Sequence, residues 1–437
     1  MELNNKPSVE PSKSNTFCWY PFYQLALKSW GKNEYKNFAP CCNSIRPEHT
    51  NPMNTVGSIG ETELKDLFKT SEMDKLRSDL LSGVKNKACA TCWNYEEKGY
   101  DSFRYYSKPR SDLKINLDAP KLQAIDVALG ESCNLRCRMC SPGLSNKLRI
   151  DEQYFYKNNE EGAPTYFDGW GDESSDPNEV LFYNINSKQH QVVLNSIKSL
   201  KMIRATGGET LFSESFLDIL QTAINNNQAK DIELHYHTNG TILNSKLIKI
   251  LNQFKVNCPT FSIDATDKSY EYIRYPMPWI SLDNNINKFL EHVNIDNFQI
   301  SSVVSVFSIY SVENLVKWAI EKANYYSKPL NFDFNLVFPE NRPIDICWLP
   351  EDMLRERLQA LNNLKSQVDG LENIYVYIDT ILARINYILN QNRKNKFFSY
   401  QGQKKMLREI QAFDNSRGQN FQEYMDPKIV DFLKEVL

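Results

Sequence analysis

No stretch of the 437 residues reaches the roughly 18–20 consecutive apolar positions that a bilayer crossing needs. The N-terminal MELNNKPSVEPSKSNTF is polar and lacks the apolar core of a secretory signal, so a cytoplasmic, reducing setting and no membrane partner are expected. Neither charge is in excess: 51 Lys plus Arg stand against 54 Asp plus Glu, a net charge of −3. That balance gives no general attraction to polyanions and argues against binding of duplex nucleic acid. Local basic clusters such as Lys404, Lys405 and Arg408 read as solvated helix faces. Internal repeats and long low-complexity tracts are missing. Histidine is scarce, with five in all, and none has metal-ligand spacing beyond His235 and His237, two apart on one strand face. No general base stands out. With 41% hydrophobic and 24% charged residues the chain is globular, and its length suits two or three domains.

Cysteine is what the chain does have, in a compartment where disulfides are not expected. The ten sort by position. Cys18, Cys41, Cys42, Cys89 and Cys92 lie in the first hundred residues, and Cys133, Cys137 and Cys140 fall within eight of one another. Cys258 and Cys347 stand alone and read as buried small hydrophobes.

Four regions follow from the pattern. Residues 1–16 form a flexible polar start containing Pro7 and Pro11. Residues 17–112 hold a strand-like 17–45, which suits a hairpin across Gly31–Lys36, and a helix over 61–83 with Gly83 as its stop. The CATC segment then falls at a helix-to-loop junction. From residue 121 to 340 strands alternate with helices, the signature of a parallel α/β sheet. The strands are expected at 122–129, 202–207, 232–238, 260–264, 298–305 and 331–337, with helices around 212–226, 245–254, 281–294 and 312–325. Six strands suit an open, partial barrel. The stretch from Pro142 to Ser199 is too long for an ordinary connection; its acidic FDGWGDESSDPNE reads as an exposed excursion, a variable surface loop or a lid. Residues 351–437 read as a helical cap.

The segment ESCNLRCRMCSPG places Cys133, Cys137 and Cys140 just after the first strand of the alternating region, at its C-terminal end. That is the rim where α/β barrels build active sites. Three thiolates fit one metal centre. A structural zinc takes four ligands and would have to be completed from elsewhere. An iron–sulfur cube held by three cysteines leaves one iron open to another ligand.

CNLRCRMC after a first strand resembles the signature of the radical S-adenosylmethionine (SAM) superfamily, and the resemblance runs through roughly 121–340. TGGET at 206–210 resembles the family's GGE motif, with Thr210 where Pro is frequent. HTNGT at 237–241, FSIDAT at 261–266 and VVSVFS at 303–308 end the later strands at the same rim. The resemblance implies a partial (β/α)6 barrel in which Cys133, Cys137 and Cys140 bind three irons of a 4Fe–4S cluster. SAM would chelate the fourth. Gly207, Gly208 and Glu209 would approach the methionine amino group. Asn239, Ser262 and Asp264 would face the SAM carboxylate, ribose or substrate, and Val304 and Ser305 the ribose or adenine. It further implies an electron donor such as flavodoxin or ferredoxin, and reductive cleavage of SAM to a 5′-deoxyadenosyl radical that abstracts hydrogen.

APCCNS, then GSIGETELKDLF, then LRSDLLSGVKNKACATCW resemble a SPASM/twitch auxiliary-cluster domain, here preceding the core rather than following it. The resemblance implies a second 4Fe–4S cluster on Cys18, Cys41, Cys89 and Cys92, with Cys42 spare and a zinc site as the alternative. Such domains accompany peptide-modifying enzymes, so a peptide or protein side chain is the first substrate class. A sugar, nucleoside or amino acid is the second, and a non-catalytic zinc-binding scaffold the contrary reading. In YEYIRYPMPW at 270–279, Arg274 and Trp279 are marginal candidates for a substrate wall.

Overall fold

The computed structural model describes residues 14–27, 37–44, 57–58, 63–97, 102–109, 113–164, 176–179, 183–336, 343–368, 370–392 and 399–436. The chain is α/β and divides into two compact units. One is drawn from Met1–Glu131, Val180–Tyr236 and Gln253–Val256, the other from Ser132–Glu179, His237–Asn252 and Asn257–Leu437.

The strands in chain order are β1 (Gln24–Leu27), β2 (Asn37–Ala39), β3 (Gly57–Ser58), β4 (Ala124–Ala128), β5 (Met202–Thr206), β6 (Glu233–Thr238), β7 (Val256–Ser262), β8 (Phe298–Val304) and β9 (Leu330–Leu336). From β4 to β9 each strand is followed by at least one helix before the next, as the alternation in the sequence predicts. In the first unit β1, β4, β5 and β6 are parallel, and β2 and β3 add an antiparallel edge beside β1. The predicted hairpin forms, with Ala26 opposite Ala39; its turn at 31–36 lies outside the described residues. Its first strand also pairs in parallel with β4, Gln24 against Ala124 through Leu27 against Val127, which the sequence pattern did not foretell. In the second unit β7, β8 and β9 are parallel.

Alternation explains the two faces of the first sheet. Ile125, Val127, Ile203, Ala205, Leu234 and Tyr236 are buried and occupy one side, where the Tyr236 ring meets Phe216 at 6.0 Å. Phe216 belongs to helix Glu214–Asn225, which begins where the Ser213 side chain accepts from the Phe216 N–H. That helix buries Phe216, Ile219, Leu220 and Ala223, the three- and four-residue spacing of one face. Burial of Phe216, Ile219 and Leu220 contributes roughly 1.5–3 kcal/mol each. On the opposite side of the sheet Asp126, Arg204 and His235 lie in register across β4, β5 and β6.

Three local differences from the sequence reading have simple causes. The helix expected over 61–83 is two, Leu64–Leu67 and Ser71–Leu81, because Thr70 is extended and its hydroxyl caps the Met73 N–H. CATC begins a helix instead of leaving one. Asn86 caps the Ala88 N–H, Lys87–Cys89 make a 3-10 turn, and Ala90–Glu97 continue as an α-helix. The fourth strand of the alternating region starts earlier than 260, at Val256. The acidic excursion lies outside the described residues except for 176–179. The C-terminal part of the second unit is helical, with Glu351–Gln367, Glu372–Asn392, Tyr400–Arg417 and Pro427–Val436. Among the described residues no helix is long and apolar enough to cross a membrane.

Candidate functional site

The loop that starts a few residues beyond β4 gathers its cysteines. Cys133 and Cys137 pack with Leu135 in one buried nest, and Cys140 and Met277 lie against it. Hydrogen bonds fix the loop at closely spaced points. The Cys133 N–H donates to Asn146 Oδ1 (3.1 Å), Ser145 Oγ donates to the Leu135 carbonyl (2.6 Å), and the Cys140 N–H donates to the Cys137 carbonyl (3.1 Å). The Arg136 and Arg138 N–H groups donate to the Tyr275 and Ile273 carbonyls, so this stretch runs alongside residues 273–275.

The TNG turn is tied to the same loop. Asn239 Nδ2 donates to Asn134 Oδ1 (2.9 Å), Asn134 Nδ2 donates to Thr241 Oγ1 (2.8 Å), and Thr241 donates to Asn239 Oδ1 through both its N–H and its hydroxyl. Asn239 is thus a brace between two rim loops, with Asn134 its counterpart inside the cysteine motif.

Asp264 is fully buried and both its oxygens are engaged. Oδ1 accepts from the Val303 N–H (2.8 Å) and Oδ2 from Arg274 Nε (2.6 Å). Arg274 then donates from its second arm to Cys137 Sγ at 3.7 Å. Burial pushes the Cys137 thiol up, and the Arg274 charge opposes it. Burial alone would lower Arg274, but the Asp264 carboxylate and the Cys137 side chain hold it well above its ordinary value. Arg274, a marginal candidate in the sequence, is a cation in contact with the Cys137 thiol. Trp279 instead packs on Tyr270 and Trp318. Ser262 ends β7 half-buried, opposite Ser301. Val304 and Ser305 are buried, and Ser305 makes a tight turn with Ser308: its N–H donates to Ser308 Oγ and its hydroxyl accepts from Phe307.

In the first unit the GGE turn closes on the end of β4. The Leu129 N–H donates to the Thr206 carbonyl (2.7 Å) and the Gly208 N–H to the Gly130 carbonyl (2.8 Å). Gly207 has φ +134°, and a Cβ there would lie 2.7 Å from the Gly130 oxygen, so glycine is required. Buried Glu209 caps the turn after it, Oε1 accepting from the Leu211 N–H at 3.0 Å.

The same unit contains a cavity lined by Cys18, Cys41, Cys89 and Cys92. Cys42 is not among its walls, which include Tyr20, Ser44, Phe103 and Arg104. Burial pushes the Cys18 and Cys41 thiols up to about 12, and it raises Cys89 and Cys92 as well. Hydroxyl groups lie close, with Ser44 Oγ 3.4 Å from Cys41 Sγ. Arg104 is held by both Glu96 oxygens, from Nε at 2.9 Å and from the second nitrogen at 2.8 Å. Four thiols facing one space, three buried and Cys89 half-buried, with no carboxylate in its walls, are a donor set suited to a thiophilic metal centre. Among the described residues, however, no group of three or more His, Cys, Asp or Glu side chains is drawn together as one ion would hold it. Cys258 and Cys347 are buried, away from both cysteine groups in sequence.

No protein-family model matches the chain, and no curated protein matches it. Among solved structures it is similar to SuiB of Streptococcus suis bound to the precursor peptide SuiA, at 13% identity over 64% of this chain and 60% of that one, TM-score 0.36. It is similar to anSMEcpe with bound AdoMet and the Cp18Cys peptide, at 15% identity over 56% and 58%, TM-score 0.34. A third is TsrM of Kitasatospora setae, a radical S-adenosylmethionine methyltransferase with cobalamin and a [4Fe-4S] cluster bound, at 10% identity over 57% and 44%, TM-score 0.33. The chain spans about three fifths of the length of the first two. At such identities the functional reading rests on this chain's own residues.

Proposed function

We propose that the chain is a radical SAM enzyme. The observation that carries the reading is the nest of Cys133, Cys137 and Cys140, completed by Leu135 and Met277 instead of a fourth thiol. Three thiolates leave one coordination position for a ligand that is not protein. In this reading the three cysteines would hold three irons of a 4Fe–4S cluster and leave the fourth for SAM. Once bound, the pair would supply one-electron reductive cleavage of SAM and abstraction of a substrate hydrogen. By the resemblance, Gly207, Gly208 and Glu209 would approach the methionine end of SAM, and Ser262, Val304 and Ser305 would line its nucleoside end. Asn239 and Asp264 act through what they hold, the cysteine loop and Arg274 respectively, and Arg274 keeps a positive charge at Cys137.

Cys18, Cys41, Cys89 and Cys92 are assigned a second 4Fe–4S cluster. Zinc at about 2.3 Å from each sulfur would draw its thiolates tightly round a point. A cluster takes one thiolate per iron and leaves them spread round a space. The four thiols lining the cavity are a donor set for either, and the resemblance of residues 17–112 to auxiliary-cluster domains favours the cluster. The resemblance of residues 17–112 to auxiliary-cluster domains favours a peptide or protein side chain as substrate over a small molecule, and the resemblance of residues 121–340 to the radical SAM family favours flavodoxin or ferredoxin as electron donor. A precursor peptide encoded beside the gene would support the first class, sugar or nucleotide enzymes the second. The direct test is formation of 5′-deoxyadenosine from SAM under a strong reductant. Cys137→Ala is expected to abolish it, and unchanged cleavage would overturn the proposal.

A further inference from the structure

Two of the five residues between the cysteines, Arg136 and Arg138, are arginines. Arg138 is 1% exposed, which demands partners for its charge and its donors. They come from far along the chain. Arg138 Nε donates to the Tyr272 carbonyl (3.0 Å). One terminal nitrogen donates to both Asp414 Oδ1 (2.5 Å) and Gln419 Oε1 (3.0 Å), and the other reaches the Ile410 carbonyl. Its guanidinium lies 3.5 Å from the centre of the Tyr272 ring. Asp414 is itself saturated, accepting also from Tyr272 Oη (2.8 Å) and the Phe421 N–H (2.7 Å).

Arg136, two residues earlier, repeats the arrangement. It pairs with Asp151 at 3.1 Å, and Asp151 is bound in turn by Arg417 through Nε (3.2 Å) and a terminal nitrogen (2.9 Å). The Asp151 and Arg417 side chains are fully buried. Cys140 completes the contact, packing against the cluster of Leu148, Phe155, Ala412 and Phe413. Residues 412, 413, 414 and 417 all belong to helix Tyr400–Arg417. Between Cys137 and Cys140 the chain is therefore gripped from both sides. Arg274 meets the Cys137 thiol, and the helix holds the residues next to it.

We infer that helix Tyr400–Arg417 is the positioning element of the cysteine loop, with Asp414 acting on Arg138 and Arg417 acting on Arg136 through Asp151. Its task is to present Cys133, Cys137 and Cys140 in one disposition for the group they bind, and in that purpose it rests on the reading given above. Removing the Asp414 charge leaves a buried guanidinium without its anion, and the loop gains freedom to open.

The test is site-resolved alkylation of the metal-free, reduced full chain, followed by mass spectrometry, with iron content after anaerobic reconstitution measured in parallel. Asp414→Asn is expected to speed labelling of Cys133 and Cys137 by about tenfold or more. Cys18, Cys41, Cys89 and Cys92 should change by less than about twofold, since that cavity lies in the other unit. Arg417→Lys, which keeps the charge but loses the fork, is the milder variant should Asp414→Asn fail to fold, and it should shift the same two cysteines in the same direction. Iron at the loop should fall with the accelerated labelling. Equal acceleration at all seven cysteines, or none at Cys133 and Cys137 despite a lowered melting temperature, would overturn the inference and leave the helix a general stabiliser. Absence of iron at the loop in the unaltered chain would instead count against the radical SAM reading, whatever the labelling shows.

Discussion

Asp264 shows how little of a residue's role its position alone discloses. It lies two residues beyond the end of β7, where the motif predicts a side chain facing a ligand, yet both its oxygens are spent on Val303 and Arg274. Asp264→Asn is therefore expected to act through Arg274, costing about 3–5 kcal/mol in stability by leaving a buried guanidinium uncompensated. It should also lower iron retention at the cysteine loop. Denaturant unfolding of the metal-free chain checks the first part, and a loss below about 1 kcal/mol would show that Arg274 has another anion. Gly207 gives a second prediction at this scale. Gly207→Ala adds a Cβ 2.7 Å from the Gly130 oxygen at φ +134°, so a strain of about 1–3 kcal/mol and a loss of SAM binding are expected. Equilibrium binding of SAM to the reconstituted protein checks this, and unaltered affinity would contradict the placing of the GGE turn.

At the scale of elements the sequence was most informative where periodicity is strong. The strands at 202–207, 232–238 and 298–305 and the helices at 212–226 and 312–325 lie within a few residues of those found. The spacing of Cys133, Cys137 and Cys140 showed which loop to inspect. It could not show the grip on that loop, because Arg138 and Asp414 are 276 residues apart and an arginine between cysteines carries no pattern of its own. The parallel pairing of β1 with β4 was hidden for the same reason: a four-residue apolar strand does not name its partner. The split of the helix at Thr70 was readable in principle, since Thr-Ser-Glu-Met is a cap signal inside an otherwise helical pattern. Helix Tyr400–Arg417 also offers a packing test independent of charge. A Cβ on Gly162 would fall 2.0 Å from the Arg408 carbonyl oxygen, so Gly162→Ala must push that helix outward. A loss of about 1–3 kcal/mol by denaturant unfolding is expected, with faster labelling of Cys140; an unchanged midpoint would contradict this packing.

At the scale of the whole molecule the proposal is two thiolate centres, one on the loop after β4 and one in the cavity of the first unit, each with its own cysteines. The loop centre is the one to which SAM chemistry is assigned, and the cavity centre would be fully ligated by protein. The measurement that tests this most directly is iron, sulfide and zinc per chain, after anaerobic purification and reconstitution, in the unaltered protein and in a Cys133→Ala, Cys137→Ala, Cys140→Ala triple variant. The account predicts about eight irons falling to about four, with sulfide in step and no zinc. Iron absent from both proteins would contradict it.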